Sequence, residues 1–132
     1  MTKTFTTIRW RWIIVGGVVA EIALLPTTLG LGFLTTKVSL PDWLAFSAYG
    51  AVMFLVLLPV SVWAAPKAGS AFLLNGTLIG LLAALIFLPF LIMAPLINPV
   101  HETINEILKV AGGAMGGLLA GRRTTSSSRF NA

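Results

Sequence analysis

Few side chains in this chain could do chemistry, and the most conspicuous is Glu21. It follows Gly16-Gly17-Val18-Val19-Ala20 in the middle of a long apolar run. A charged carboxylate at the centre of a bilayer is disfavoured by a few kcal/mol or more, roughly 3 on insertion scales, so a carboxylate at that depth needs a partner or a task. Gly17, Glu21 and Thr28 fall on one helical face, which directs that face into the protein. Lys109 is the other charge at depth. It belongs to Glu102, Asn105, Glu106 and Lys109, which recur at helical spacing on one face of a later segment. Glu106, three residues before Lys109, is its nearest partner by spacing. A Glu21–Lys109 pair is the alternative, although on antiparallel helices the two Cα–Cβ directions tilt apart. Asn75 lies closest to Glu21 in depth. These four residues, Glu21, Asn75, Glu106 and Lys109, form the expected intramembrane polar site. Three roles stand open for Glu21: holding helix register, carrying a proton or substrate, or contacting another subunit.

Other chemistry is scarce. His101 is the one histidine, and with Asp42, Glu102 and Glu106 it lacks a ligand spacing diagnostic of a metal. The chain has no cysteine, which removes disulfides, thiolate metal sites, iron–sulfur clusters and Cys nucleophiles. It contains no nucleophile elbow and no phosphate-binding glycine loop. No cofactor is expected, and the chain does not read as an enzyme.

The elements that must carry these residues are set by composition. Of 132 residues, 57% are hydrophobic and 10% charged, where a soluble domain has about a quarter charged. Too few polar side chains remain to cover a water-facing surface, so the outer surface is expected to face lipid. Crossing the hydrocarbon core takes about 20 apolar residues in a helix. Residues 12–34, 43–65, 70–94 and 99–121 are of that kind, the last opening with polar residues and rich in glycine. Asn98 suits the N-cap of the last span, Pro99 its first position and Glu102 its positive dipole end. The expected fold is all-α: a polytopic membrane protein with four transmembrane helices, residues 1–123, and a disordered cytoplasmic tail, 124–132. Asn75-Gly76-Thr77 matches a glycosylation pattern but falls inside the third helix. The N-terminal run is too long for a signal peptide and is followed by no cleavage site.

The net charge of +5 is spread at helix ends and does not form a patch with interleaved aromatics, so nucleic acid is not an expected partner. Lys3, Arg9, Arg11, Lys67, Arg122, Arg123 and Arg129 fall on one side of an even-numbered topology, against Lys37 on the other. Both termini are therefore expected in the cytoplasm, with the chain in the cell's inner (plasma) membrane. Trp10, Trp12 and Trp63 mark the inner interface and Trp43 the outer.

Helix packing is legible in the small residues. Gly112, Gly116 and Ala120, and Gly113, Gly117 and Gly121, repeat at four-residue intervals, signatures of close backbone approach in membranes. Gly76, Gly80 and Ala84 repeat likewise in the third helix. The two stretches match in depth, which predicts that helices 3 and 4 pack together there, with a subunit interface as the rival use. Prolines 26, 59 and 89 favour kinks in the first three helices.

The stretch Gly16-Gly17-Val18-Val19-Ala20-Glu21 resembles the first-helix motif of small multidrug resistance transporters. That resemblance implies a dimeric four-helix protein in which Glu21 exchanges protons for cationic substrates. It covers under a fifth of the chain, the family's third-helix tryptophan and glycine signature is missing, and the fourth helix is more polar here. The basic, tryptophan-rich start, the first-span glutamate and the closing Gly112-Gly113-Ala114-Met115-Gly116-Gly117-Leu118-Leu119-Ala120-Gly121-Arg122-Arg123 together resemble uncharacterised small bacterial membrane proteins with four spans, and this implies a fold without an activity. Two functions are expected. One is a structural or accessory subunit or assembly partner, bound to other membrane protein subunits or to itself. The other is a dimeric proton-coupled transporter using Glu21.

Overall fold

The computed structural model describes residues 8–93 and 98–130. They form four helices, α1 (Trp10–Val38), α2 (Asp42–Ala68), α3 (Phe72–Met93) and α4 (Pro99–Phe130), and no strand occurs among the described residues. The first three are long and apolar enough to cross a membrane, with mean hydropathies of 1.9, 2.0 and 2.5. Their surfaces fit that setting. Ile22, Leu29, Phe33, Leu55, Phe90, Ile92 and Met93 are all exposed, far more apolar surface than a water-soluble chain of this size leaves open. Most hydroxyls on these helices bond to their own backbone: Thr28, Thr35, Thr36, Ser47 and Thr77 each donate to a carbonyl three or four residues back. In hydrocarbon, polar groups must be satisfied within the segment.

α1 and α2 run past the expected span limits at both ends and α4 at its C-terminal end, while α3 stays within its limits. Pro26, Pro59, Pro66 and Pro89 all lie inside continuous helices; the expected interruptions do not break them. The turns do. Ser39, in the left-handed region, closes α1, and Gly69, at a φ of 144°, closes α2. That value lies outside what a side chain tolerates, and glycine adopts it freely. α4 stays helical to Phe130, through residues 124–130 of the stretch expected as a tail. The hydroxyls of Thr124, Thr125 and Ser127 donate to carbonyls one turn back, so this polar stretch meets its needs as a helix. Lys3 lies outside the described residues, as do Asn131 and Ala132.

The bundle is up-and-down. α4 packs on α2 and α3, α1 packs on the same two from the opposite side, and α1 and α4 face each other across the diagonal. Ile13, Ala20, Leu24, Met53, Leu57, Ala64, Ala65, Ile79 and Ala83 form the core. α4 reaches its neighbours through glycine. A Cβ on Gly113 would run into the Gly76 carbonyl oxygen, and one on Gly80 would come within 2.7 Å of the Lys109 carbonyl oxygen. On the other side, Gly112 abuts the Phe54 backbone and Gly116 abuts Leu58 and Ser61 of α2. Gly121 touches the Phe72 ring edge. The small residues of α4 are therefore used on two faces within one chain, against α3 and against α2. α1 adds two close approaches of its own, Gly16 at Ala64 and Ile79 and Gly17 at Leu82.

Candidate functional site

α1 and α4 present Glu21 and Lys109 toward each other across the bundle. The Lys109 ammonium is 2.8 Å from Glu21 Oε1, to which it donates a hydrogen bond, and 3.0 Å from Glu106 Oε1. The second contact is an ion pair by distance without hydrogen-bond alignment, so Glu106 holds Lys109 by charge alone. Lys109 is only 1% exposed, and its ammonium also lies 4.6 Å from the centre of the Phe87 ring on α3. Glu21 and Glu106 are slightly more open, at 14% and 17% of their side chains. One ammonium thus faces two carboxylates and an aromatic ring.

The helix geometry explains how the pair forms. The Cβ vectors of Glu21 and Lys109 tilt in opposite directions along antiparallel helices, which argued against contact. Four methylenes on Lys109 span the gap, and Gly80 and Gly113 let α4 sit deep enough between its neighbours for the stem to cross the diagonal. Three of the four residues expected in the polar site therefore meet. Asn75 does not. Its Nδ2 donates to the Ala65 carbonyl at 3.1 Å and the Gly69 carbonyl at 3.2 Å, which ties the start of α3 to the end of α2. Asn75 serves the turn, where the carbonyls at the end of α2 need donors that the helix cannot supply.

Glu21 also opens outward. Val18, Glu21, Ile22, Leu25, Ile86, Phe87 and Phe90 line a groove of about 280 Å³ between α1 and α3, on the apolar exterior. Phe87 and Phe90 stack at 6.2 Å along its wall. The groove leads from the lipid-facing surface to the carboxylate.

At the end where α2 and α4 begin, Asp42, His101 and Glu102 come together around a cleft with Phe46, Tyr49, Asn98 and Asn105. Glu106, weighed with them as a metal ligand, turns to Lys109 instead. Among the described residues, no three His, Cys, Asp or Glu side chains converge as a metal site would require. His101 stacks on Phe46 at 4.1 Å. The opposite end carries Arg9, Arg11, Lys67, Arg122, Arg123 and Arg129. There Lys67 sits over Trp63 at 4.0 Å and Trp12 at 4.9 Å, with the two indoles edge-to-face at 5.9 Å. The residue types of this cluster were visible in the sequence; that Trp12 joins Lys67 required knowing that α1 and α2 meet, as the bond from Arg9 N–H to the Ala68 carbonyl shows. Asn105 and Ser61, both buried, carry polar atoms without partners among the described residues. Asn105 belongs to the polar face read from the sequence, whereas Ser61 was not distinguishable there from an ordinary polar residue.

No family model, no curated protein and no solved structure matches this chain.

Proposed function

We propose that this is a polytopic plasma-membrane protein in which all four helices cross the bilayer, both ends lie in the cytoplasm, and the bundle serves as a structural or accessory partner in a larger membrane assembly. The observation that carries this reading is the closure of the charges on themselves: Lys109 is engaged by Glu21 and Glu106 inside a bundle whose backbones touch. Such a site fixes the relative depth and rotation of α1 and α4. The polar residues in the middle of α4, Asn105 and Lys109, are buried, and its exposed polar residues lie near its two ends. Its 32 residues extend about 48 Å at a 1.5 Å rise, long enough to cross with its neighbours. The basic end faces the cytoplasm, since positive residues flanking spans are retained there. The glycine rows no longer speak for a partner subunit, because α2 and α3 occupy them. The partner surface is then the exposed apolar exterior, chiefly Leu25, Leu29 and Phe33 of α1 and Phe90, Ile92 and Met93 of α3.

A second reading has its own observation. The groove that reaches Glu21 from the lipid-facing side suits a proton-coupled transporter acting as a dimer, in which Glu21 exchanges Lys109 for a proton or a cationic substrate. Native mass spectrometry of the protein extracted gently from its own membrane separates the two. Co-extraction with a fixed set of other chains supports the accessory role. A discrete homodimer, with proton-driven uptake or efflux lost in Glu21→Gln, supports transport. A bare monomer contradicts both.

A further inference from the structure

At the basic end of the bundle an exposed apolar groove runs into a patch of arginine, away from the Glu21 site. The groove, of about 260 Å³, follows the seam of α3 and α4 and is lined by Phe72, Leu73, Gly117, Leu118 and Gly121, then by Arg122 and Thr125. Leu73 and Leu118 are exposed, so it opens on the same apolar exterior as the rest of the bundle. Its glycines bring the helices close: a Cβ on Gly117 would run into the Phe72 carbonyl oxygen, and one on Gly121 would come within 3.1 Å of the Phe72 ring. Arg122 and Thr125 also line a second hollow of about 230 Å³, completed by Ser126 and Arg129. These four positions, three, four and seven residues apart, share one face of α4. The apolar and basic hollows are therefore continuous along about 18 Å of α4, from Gly117 to Arg129. Phe72 begins α3, so the change from apolar to basic falls where the apolar span starts.

The charge at this end is unanswered within the chain. All four acidic side chains, Glu21, Asp42, Glu102 and Glu106, lie at mid-bundle or at the opposite end. Among the described residues no carboxylate pairs with Arg122 or Arg129. The carbonyl end of α4 offsets roughly half a charge, which leaves about one and a half positive charges in the hollow. A phosphodiester carries a single negative charge, and its oxygens match the guanidinium fork. Ser126 adds a hydroxyl donor beside the two arginines. A free anion would leave the adjoining groove unused, and an acidic peptide would have to enter hydrocarbon to reach Leu73 and Leu118. A phospholipid places its phosphate and its alkyl chains on the two sides of this boundary.

We infer that Arg122, Ser126 and Arg129 bind the phosphate of an anionic phospholipid whose acyl chain lies in the α3–α4 groove against Phe72, Leu73 and Leu118. The site needs α4 to cross the bilayer with α3 but assumes neither a partner subunit nor transport, so its failure leaves those readings standing. The test is native mass spectrometry of the delipidated full-length protein, titrated in detergent with dioleoylphosphatidylglycerol, reading the affinity of the first lipid bound. It should exceed the affinity for dioleoylphosphatidylcholine at least about fivefold, the effect of one basic residue near a membrane surface. Arg122→Gln and Arg129→Gln should each weaken phosphatidylglycerol binding about fivefold. Arg123→Gln, also exposed but outside both hollows, should change it less than about twofold because solvent and salt screen it. Dihexanoylphosphatidylglycerol, with the same headgroup and short chains, should bind at least about tenfold more weakly, and inorganic phosphate should not displace the long-chain lipid. Equal affinity for phosphatidylcholine overturns the inference. So does an equal loss in Arg122→Gln, Arg123→Gln and Arg129→Gln, which would mark diffuse attraction to a charged end, and so does equal binding of the short-chain lipid or displacement by inorganic phosphate.

Discussion

Replacing Lys109 by methionine removes one positive charge while nearly keeping side-chain volume, and it isolates the energetics of the buried site. At the observed distances of 2.8 and 3.0 Å, an effective dielectric of about 20 gives attractions of about 6 kcal/mol to Glu21 and about 5.5 to Glu106. Desolvating the three groups cancels much of that, several kcal/mol per ion. Removal of one member does not return this cost, because the carboxylates stay in place. Lys109→Met should therefore destabilise the bundle by about 3–5 kcal/mol. Glu21→Gln should cost less, about 1.5–3 kcal/mol, since Lys109 keeps Glu106 and loses one charge-assisted hydrogen bond. The triple variant Glu21→Gln/Glu106→Gln/Lys109→Met, with no ion left, should recover most of the loss in Lys109→Met. Unfolding from mixed micelles by added SDS, followed by tryptophan fluorescence and far-ultraviolet circular dichroism, measures all three. A Lys109→Met variant within about 0.5 kcal/mol of the parent, the range of an ordinary surface change, would refute the pairing, as would a triple variant less stable than Lys109→Met.

The glycine contacts give a paired prediction. Gly113→Ala, whose Cβ meets the backbone at Gly76 and Gly80, should lower stability by about 1–3 kcal/mol in the same assay. Gly30→Ala, where nothing lies within 4 Å, should be neutral or stabilising by about 0.5–1 kcal/mol. Asn75→Leu should cost about 1–3 kcal/mol by leaving the Ala65 and Gly69 carbonyls without their donor, with hydrogen exchange rising first at the α2–α3 turn. Lys67→Met, which removes a cation from over Trp12 and Trp63, should cost about 0.5–1 kcal/mol and shift the tryptophan emission.

The helices were legible because lipid-facing surface must be apolar along its whole length. That requirement writes the first three helices into the sequence as runs, and polar, proline and glycine residues mark their ends. The internal contacts obey weaker rules. The α3–α4 approach could be read from Gly76 and Gly80 against Gly113 and Gly117, because both partners are small. The α2 side of α4 could not, since there the glycines meet Phe54, Leu57, Leu58 and Ser61, a set with no repeat. Asn75 and Glu21 looked close because depth along a helix can be counted, whereas rotation around it depends on which helices are neighbours. The Glu21–Lys109 pair was weighed against the direction of two Cβ vectors. A lysine stem is long enough to overrule that direction, and how far it must reach is set by the diagonal of the bundle, which only packing determines. Thr124 to Ser128 read as a tail by composition, yet hydroxyls that bond back to the preceding turn are compatible with helix.

Everything argued for Lys109 depends on α4 crossing the membrane beside α1 to α3, and the absence of native cysteine makes that directly measurable. Val100, exposed at the start of α4, and Thr125, near its end, are replaced singly by cysteine and probed with a membrane-impermeant maleimide on intact spheroplasts. Val100→Cys should be labelled from outside, and Thr125→Cys only after the membrane is permeabilised. Labelling of both from the same side would place α4 along the membrane surface and contradict the account.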